Sequence, residues 1–198
     1  MTLREMVARV MRAIPGVAPG VIGELDVIDM LNEAQKHLSR LVSRFVVSEF
    51  ELEADYNIVP MPTDLLTLIS VYWKSDSVER ELYPSPERLP VENVYSINEP
   101  KLYYVKAERV IVQPTPLVDG TVSIAYVPTP TAMSKDTDTP DLKDSEGYLI
   151  AYALHRLHLE AGSPQLQLWE LEKMKEEHTF IQTSDQNYSN PIQLDMNW

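Results

Sequence analysis

The chain has no cysteine, only six glycines, and far fewer cationic than anionic residues. Without cysteine there is no disulfide framework, no thiolate nucleophile and no Cys-ligated zinc. So few glycines leave little with which to cradle a phosphate. Neither a P-loop, a Rossmann glycine pattern, a nucleophile elbow nor an HExxH pair is present. No apolar run approaches the roughly 18 residues of a spanning helix. The opening MTLREMVARVMRAIPG interleaves arginines with apolar residues and so lacks the apolar core of a signal peptide. The expectation is synthesis in the cytosol, with neither export nor membrane insertion.

Positive charge is scarce where it would matter most for nucleic acid. The 17 Lys and Arg face 30 Asp and Glu, for a net charge of −13. Residues 45–100 hold three cations against eleven anions, and residues 141–198 hold four against ten. Gripping duplex DNA requires clustered cations that neutralise phosphates, so tight DNA binding is disfavoured.

What is present is 198 residues with 44% hydrophobic content. That length suits one compact domain burying about 70% of its unfolded surface. Residues 2–14 space Leu3, Met6, Val7, Val10, Met11 and Ile14 as an amphipathic helix, ended by Pro15-Gly16. From Asp26 to about Phe45, the stripe Leu25, Ile28, Leu31, Ala34, Leu38, Leu41, Val42, Phe45 predicts a second helix, with acids early and arginines late. VVSEFELEADYNI then alternates in part and reads as an exposed strand.

YNIVPMPTDLLTLISVYW is the centre of the chain's organisation. Strand-forming Ile58-Val59 is stopped at Pro60-Met61-Pro62, Thr63 or Asp64 can cap one short helical turn through Leu65-Leu66, and a second strand follows over Leu68–Trp73. Residues 77–100, with four prolines, read as irregular with at most a turn of helix over Ser85–Leu89. Leu102–Lys106, Arg109–Gln113 and Thr121–Val127 predict an antiparallel meander. PTPTAMSKDTDTP (128–140) is a long loop, expected to be mobile and to order against a neighbour. Helix resumes after Asp141. Gly162 suits its left-handed C-terminal position, Ser163 the next N-cap and Pro164 the first helical position, giving a helical hairpin.

Three segments carry a family likeness: LNEAQKHLSRLV, the YNIVPMPTDLLTLISVYW turn, and VIVQPTPLVDGTVSIAYVPTP. With the DTPDL loop, a Tyr-rich helix and Ala161-Gly162 following in order, the chain resembles the head-to-tail connector (neck adaptor) proteins of tailed bacteriophages over about Leu25 to Ile181. The resemblance implies a structural virion protein, not an enzyme. It implies a self-associated ring, typically of twelve copies, under the portal protein. The ring would meet a tail or further neck protein and let genomic DNA pass without holding it. The expected fold class is α+β: a helical bundle (two N-terminal helices plus a C-terminal hairpin) with a small inserted antiparallel β-sheet. Residues 1–184 form one domain, with the β-rich insert over about 46–127, and residues 185–198 form an extended arm.

In that arm Ile192, Leu194, Met196 and Trp198 alternate with polar residues, which places four apolar side chains on one side of an extended chain. They are the candidate partner-binding residues, joined in the loop by Met133 and Lys135. His155, His158 and His178 could be imagined as metal ligands, but structural zinc needs four donors and no fourth is evident, so packing roles are favoured. Asp136 and Asp138 have the spacing that begins a calcium loop, yet Pro140, Asp141 and Gly147 occupy the fifth, sixth and twelfth positions, and the motif fails. No metal, cofactor or catalytic residue is assigned. A cytosolic enzyme or ligand-binding domain with a site assembled only on folding is the alternative reading.

Overall fold

A computed structural model describes residues 1–14, 22–42, 44–76, 78–85 and 99–188, with 184–188 as backbone only. The chain divides into two compact units, one of residues 1–44 with 129–198 and one of residues 45–128.

The first unit is helical, with α1 (Leu3–Arg12), α2 (Glu24–Leu41), α3 (Glu146–Glu160) and α4 (Leu166–Tyr188). Thr2 and Glu5 form a reciprocal capping box at the start of α1, satisfying two backbone donors that the helix leaves free. Asp26 caps α2 through the Gly23 N–H at 2.7 Å. Gly162 takes φ +59 after α3, the left-handed turn that ends a helix most cheaply when no Cβ is present. The core joins Leu3, Met6 and Val10 of α1, Val27, Leu31 and Leu38 of α2, and Tyr148, Leu149, Leu154 and Leu157 of α3. Helix α2 ends earlier than its apolar series suggests. Leu25 is 76% exposed, and Phe45 is exposed beyond the helix end, so the outer members of that stripe are not core. Leu159 and Met174 are likewise on the surface, while Phe180 is buried.

The second unit is a seven-stranded sheet of β1 (Val46–Leu52), β2 (Ile58–Pro60), β3 (Leu65–Ser75), β4 (Val78–Pro84), β5 (Leu102–Lys106), β6 (Arg109–Gln113) and β7 (Gly120–Pro128). Their order is β1-β7-β3-β4-β5-β6-β2. All pairs are antiparallel except β4 with β5, which is parallel. All seven strands supply a side chain to one inner cluster, including Leu52, Val59, Trp73, Leu82, Tyr103, Val112 and Ile124. Only a sheet curled on itself can do this, and its end strands β1 and β2 approach one another as in a nearly closed barrel.

This overturns the expectation of a helical bundle with a small inserted antiparallel sheet: the sheet is large, mixed, and has its own core. Strand β4 was hidden by prolines, but Pro84 sits at its last position, where a missing N–H is tolerated. The meander is also corrected. Strands β5 and β6 do form a hairpin, through Ala107 and Glu108 at φ 49 and 59, the left-handed pair a two-residue turn demands. Strand β7 leaves them and inserts between β1 and β3. Apolar alternation marks a strand but says nothing of its neighbour. Strand β3 starts at Leu65, so residues expected to form a short helical turn are already extended. The turn of helix expected over Ser85–Leu89 falls mostly outside the described residues.

Candidate interaction surfaces

The 129–145 loop is seated on the helical unit by two side chains of α2, three residues apart. Asn32 Nδ2 donates to the Met133 carbonyl at 3.0 Å while its Oδ1 accepts the Met133 N–H at 2.8 Å. Gln35, 1% exposed, donates to the Thr131 carbonyl at 2.9 Å and accepts the Asp141 N–H at 2.8 Å. The start of α1 adds backbone bonds from the Leu3 and Arg4 N–H groups to the Asp138 and Asp136 carbonyls, at 2.7 and 3.2 Å. Asp138 accepts the Ser134 and Lys135 N–H groups, each at 2.8 Å, and these bonds hold its carboxyl below the usual carboxylate range. The loop therefore does have core to pack on. Met133 is 3% exposed inside the helical core, and Lys135 is on the surface. The two acids of the failed calcium pattern serve as loop and helix-start acceptors.

A polar seam runs between α2 and α3. The Tyr148 hydroxyl lies 2.7 Å from His37 Nδ1, the Tyr152 hydroxyl donates to Glu33 Oε1 at 3.0 Å, and Arg156 reaches Glu33 at 4.0 Å. Burial pushes both tyrosines' pKa upward, so both hydroxyls stay protonated, and that of Tyr152 donates to Glu33. His158 is buried and stacks on Trp169 with ring centroids 6.0 Å apart, and burial lowers its pKa. His155 is lowered by burial and by Lys173, whereas His178 is exposed and pairs with Gln182 at 2.8 Å. Among the described residues no three His, Asp or Glu converge on a metal position.

Two depressions belong one to each unit. In the helical unit a cavity of about 300 Å³ lies among Ala13, Ile150, Leu154, Leu168 and Trp169, rimmed by Arg9 and Glu176. Leu168, Leu171 and Met174 stand out from α4 beside it at 60, 66 and 56% exposure. In the sheet unit a cleft of about 750 Å³ is lined by Glu51, Glu53, Asp76 and Asp119, all exposed carboxylates, with Lys74. Solvated carboxylates without a partnered base are a surface feature here. Tyr56, Ile58 and Tyr83 also project from this unit, Tyr83 at 67% exposure.

Sequence reasoning missed the Asn32 and Gln35 clamp and the apolar stripe of α4. The i, i+3 spacing of two amides on an otherwise apolar helix face was the available signal for the first. Ile192, Leu194, Met196 and Trp198 lie outside the described residues. Helix α4 continues to Tyr188, so residues 185–188, assigned to the arm, are helical.

A family model described as SU10 adaptor protein matches residues 1–193. No curated protein matches the sequence.

Proposed function

The chain belongs to the SU10 adaptor protein family, a family of phage head–tail adaptors, and on that premise we propose that it forms a ring in the phage neck that joins portal to tail. The family is a structural one and not an enzyme family, and membership implies a virion component. No described helix is long and apolar enough to cross a membrane. In the proposed role copies of the chain contact one another, the portal protein and a tail or further neck protein, and the ring continues the DNA channel.

The observation that carries this reading is the match across nearly the whole chain, which covers both the helical and the sheet units. Its surfaces suit the role. Large apolar side chains stand exposed on α4 and on the sheet, and surfaces of that kind mark protein contacts. The apolar alternation of Ile192, Leu194, Met196 and Trp198 suits docking of an extended segment on another subunit or on the portal. The acidic charge suits a channel lining that lets DNA slide. The test is mass in solution, for the protein alone and mixed with its portal protein. Ring-sized complexes support the proposal, whereas a monomer that ignores the portal overturns it.

A further inference from the structure

The curled sheet carries two unlike outer faces. Since every strand points one row of side chains into the shared inner cluster, the alternate residues point outward, and strands on opposite walls of the curled sheet, β7 and β3 on one and β6 on the other, face different directions. On β1, β7, β3 and β4 the strand register aligns Glu49, Ser123, Tyr72 and Glu81 in one outward row. The next row aligns Glu51, Thr121, Lys74 and Glu79. These four glutamates are exposed, and the one lysine among them approaches Glu79 at 4.0 Å. On β5, β6 and β2 the register instead aligns Tyr104, Ile111 and Ile58 in one outward row, and Lys106, Arg109 and Pro60 in the next. Ile58 is 46% exposed, and Lys106 and Arg109 are exposed with one carboxylate nearby in sequence, Glu108. Among the described residues Glu49, Glu81, Lys106 and Arg109 have no salt bridge.

We infer that the acidic β1-β7-β3-β4 face of one copy docks the basic, apolar β5-β6-β2 face of the next. This rests on the ring reading and specifies its contact. The two faces are opposite in charge, and each carries apolar side chains, Tyr72 on the inner strand β3 of one, and Ile111 on the middle strand of the other with Ile58 beside it on β2. Neither is complementary to itself, which excludes a two-fold pairing of like faces and selects head-to-tail contact, the kind that closes into rings. The apolar side chains supply affinity, and the charges fix register and reject the wrong pairing.

The test is a charge exchange on the full chain, followed by sedimentation with and without portal protein. Lys106→Glu with Arg109→Glu leaves both faces acidic, and Glu49→Lys with Glu81→Lys removes the acidic partner. Each pair is expected to weaken assembly at least about tenfold. All four changes in one chain restore opposite faces, and assembly should return toward that of the unaltered chain. Circular dichroism controls for folding. If the unaltered chain assembles and both charge-reversed chains assemble equally well, this contact is wrong while the ring reading stands. Failure of the fourfold exchange to rescue assembly also overturns it. If the unaltered chain neither self-associates nor joins the portal, the ring reading falls and this inference with it. If nucleic acid binds the Lys106 and Arg109 face and assembly is unaffected by either reversal, that face serves DNA instead.

Discussion

Asn32 holds Met133 by both backbone groups at once, donating to its carbonyl at 3.0 Å and accepting its N–H at 2.8 Å. The amide reads the loop as a neighbouring strand would, and it drives the Met133 side chain into the helical core. Asn32→Ala would leave two partly buried backbone groups unpaired, at a cost of about 2–4 kcal/mol for the pair. Urea denaturation measures this. A loss under 0.5 kcal/mol would show that the loop is held by Met133 packing alone. Asn32→Asp should also destabilise, since a carboxylate cannot donate to the Met133 carbonyl.

Gly120 gives a second prediction. A Cβ there would collide with the Trp73 ring and approach the Lys74 carbonyl to 2.6 Å. Trp73 is fully buried among the inner side chains of the sheet, so it has no room to withdraw. Gly120→Ala is therefore expected to cost about 1–3 kcal/mol by overpacking. At Gly162 a Cβ meets nothing within 4 Å, and only the φ of +59 opposes it, for about 1–2 kcal/mol. Combining Gly120→Ala with Trp73→Phe separates the causes. Relief of the glycine penalty in that background assigns it to the Trp73 ring, and an unchanged penalty excludes the ring as its source and leaves the Lys74 carbonyl.

Acid sensitivity should trace to His158. Burial lowers its folded pKa, so the folded state favours the neutral ring while the unfolded chain binds protons near the ordinary value of about 6.5. Its contribution is thus complete well above that pH and declines as pH falls below it toward the depressed folded pKa. His155, lowered by burial and by Lys173, acts in the same window. His158→Phe keeps a ring against Trp169 and should flatten the decline between pH 8 and 5, with His155 supplying the remainder. Parallel stability profiles for the two proteins would exclude His158 as the source.

The last residues of the chain are expected to act in assembly and not in folding. Deleting 190–198 removes Ile192, Leu194, Met196 and Trp198 but none of the described core. The truncated protein should unfold at the same temperature as the full chain and join the portal poorly. Normal joining would remove the docking role, and a large drop in unfolding temperature would make the segment part of its own fold.

Duplex DNA should bind only weakly at physiological salt. The sheet unit and the C-terminal helices are both acidic, and counterion release needs clustered cations. Submicromolar affinity by fluorescence anisotropy would contradict a channel that passes DNA without holding it.

Local order was legible where a residue's neighbours in sequence are its neighbours in space. The apolar spacing of Leu3, Met6, Val7 and Val10 specifies α1, because one helix face must be buried whatever lies against it. Gly162 marks the end of α3 by its own backbone freedom. The sequence also determined the absence of cysteine chemistry, the acidic surface and the order of segments that carries the family likeness. Tertiary structure alone decided that β7 lies between β1 and β3, that β4 pairs with β5 in parallel, and that Asn32 and Gln35 meet residues about a hundred positions away. Strand pairing is a long-range choice. Alternation tells each strand which side to bury, and the partner follows from closing one core with all seven strands, a condition no single segment contains.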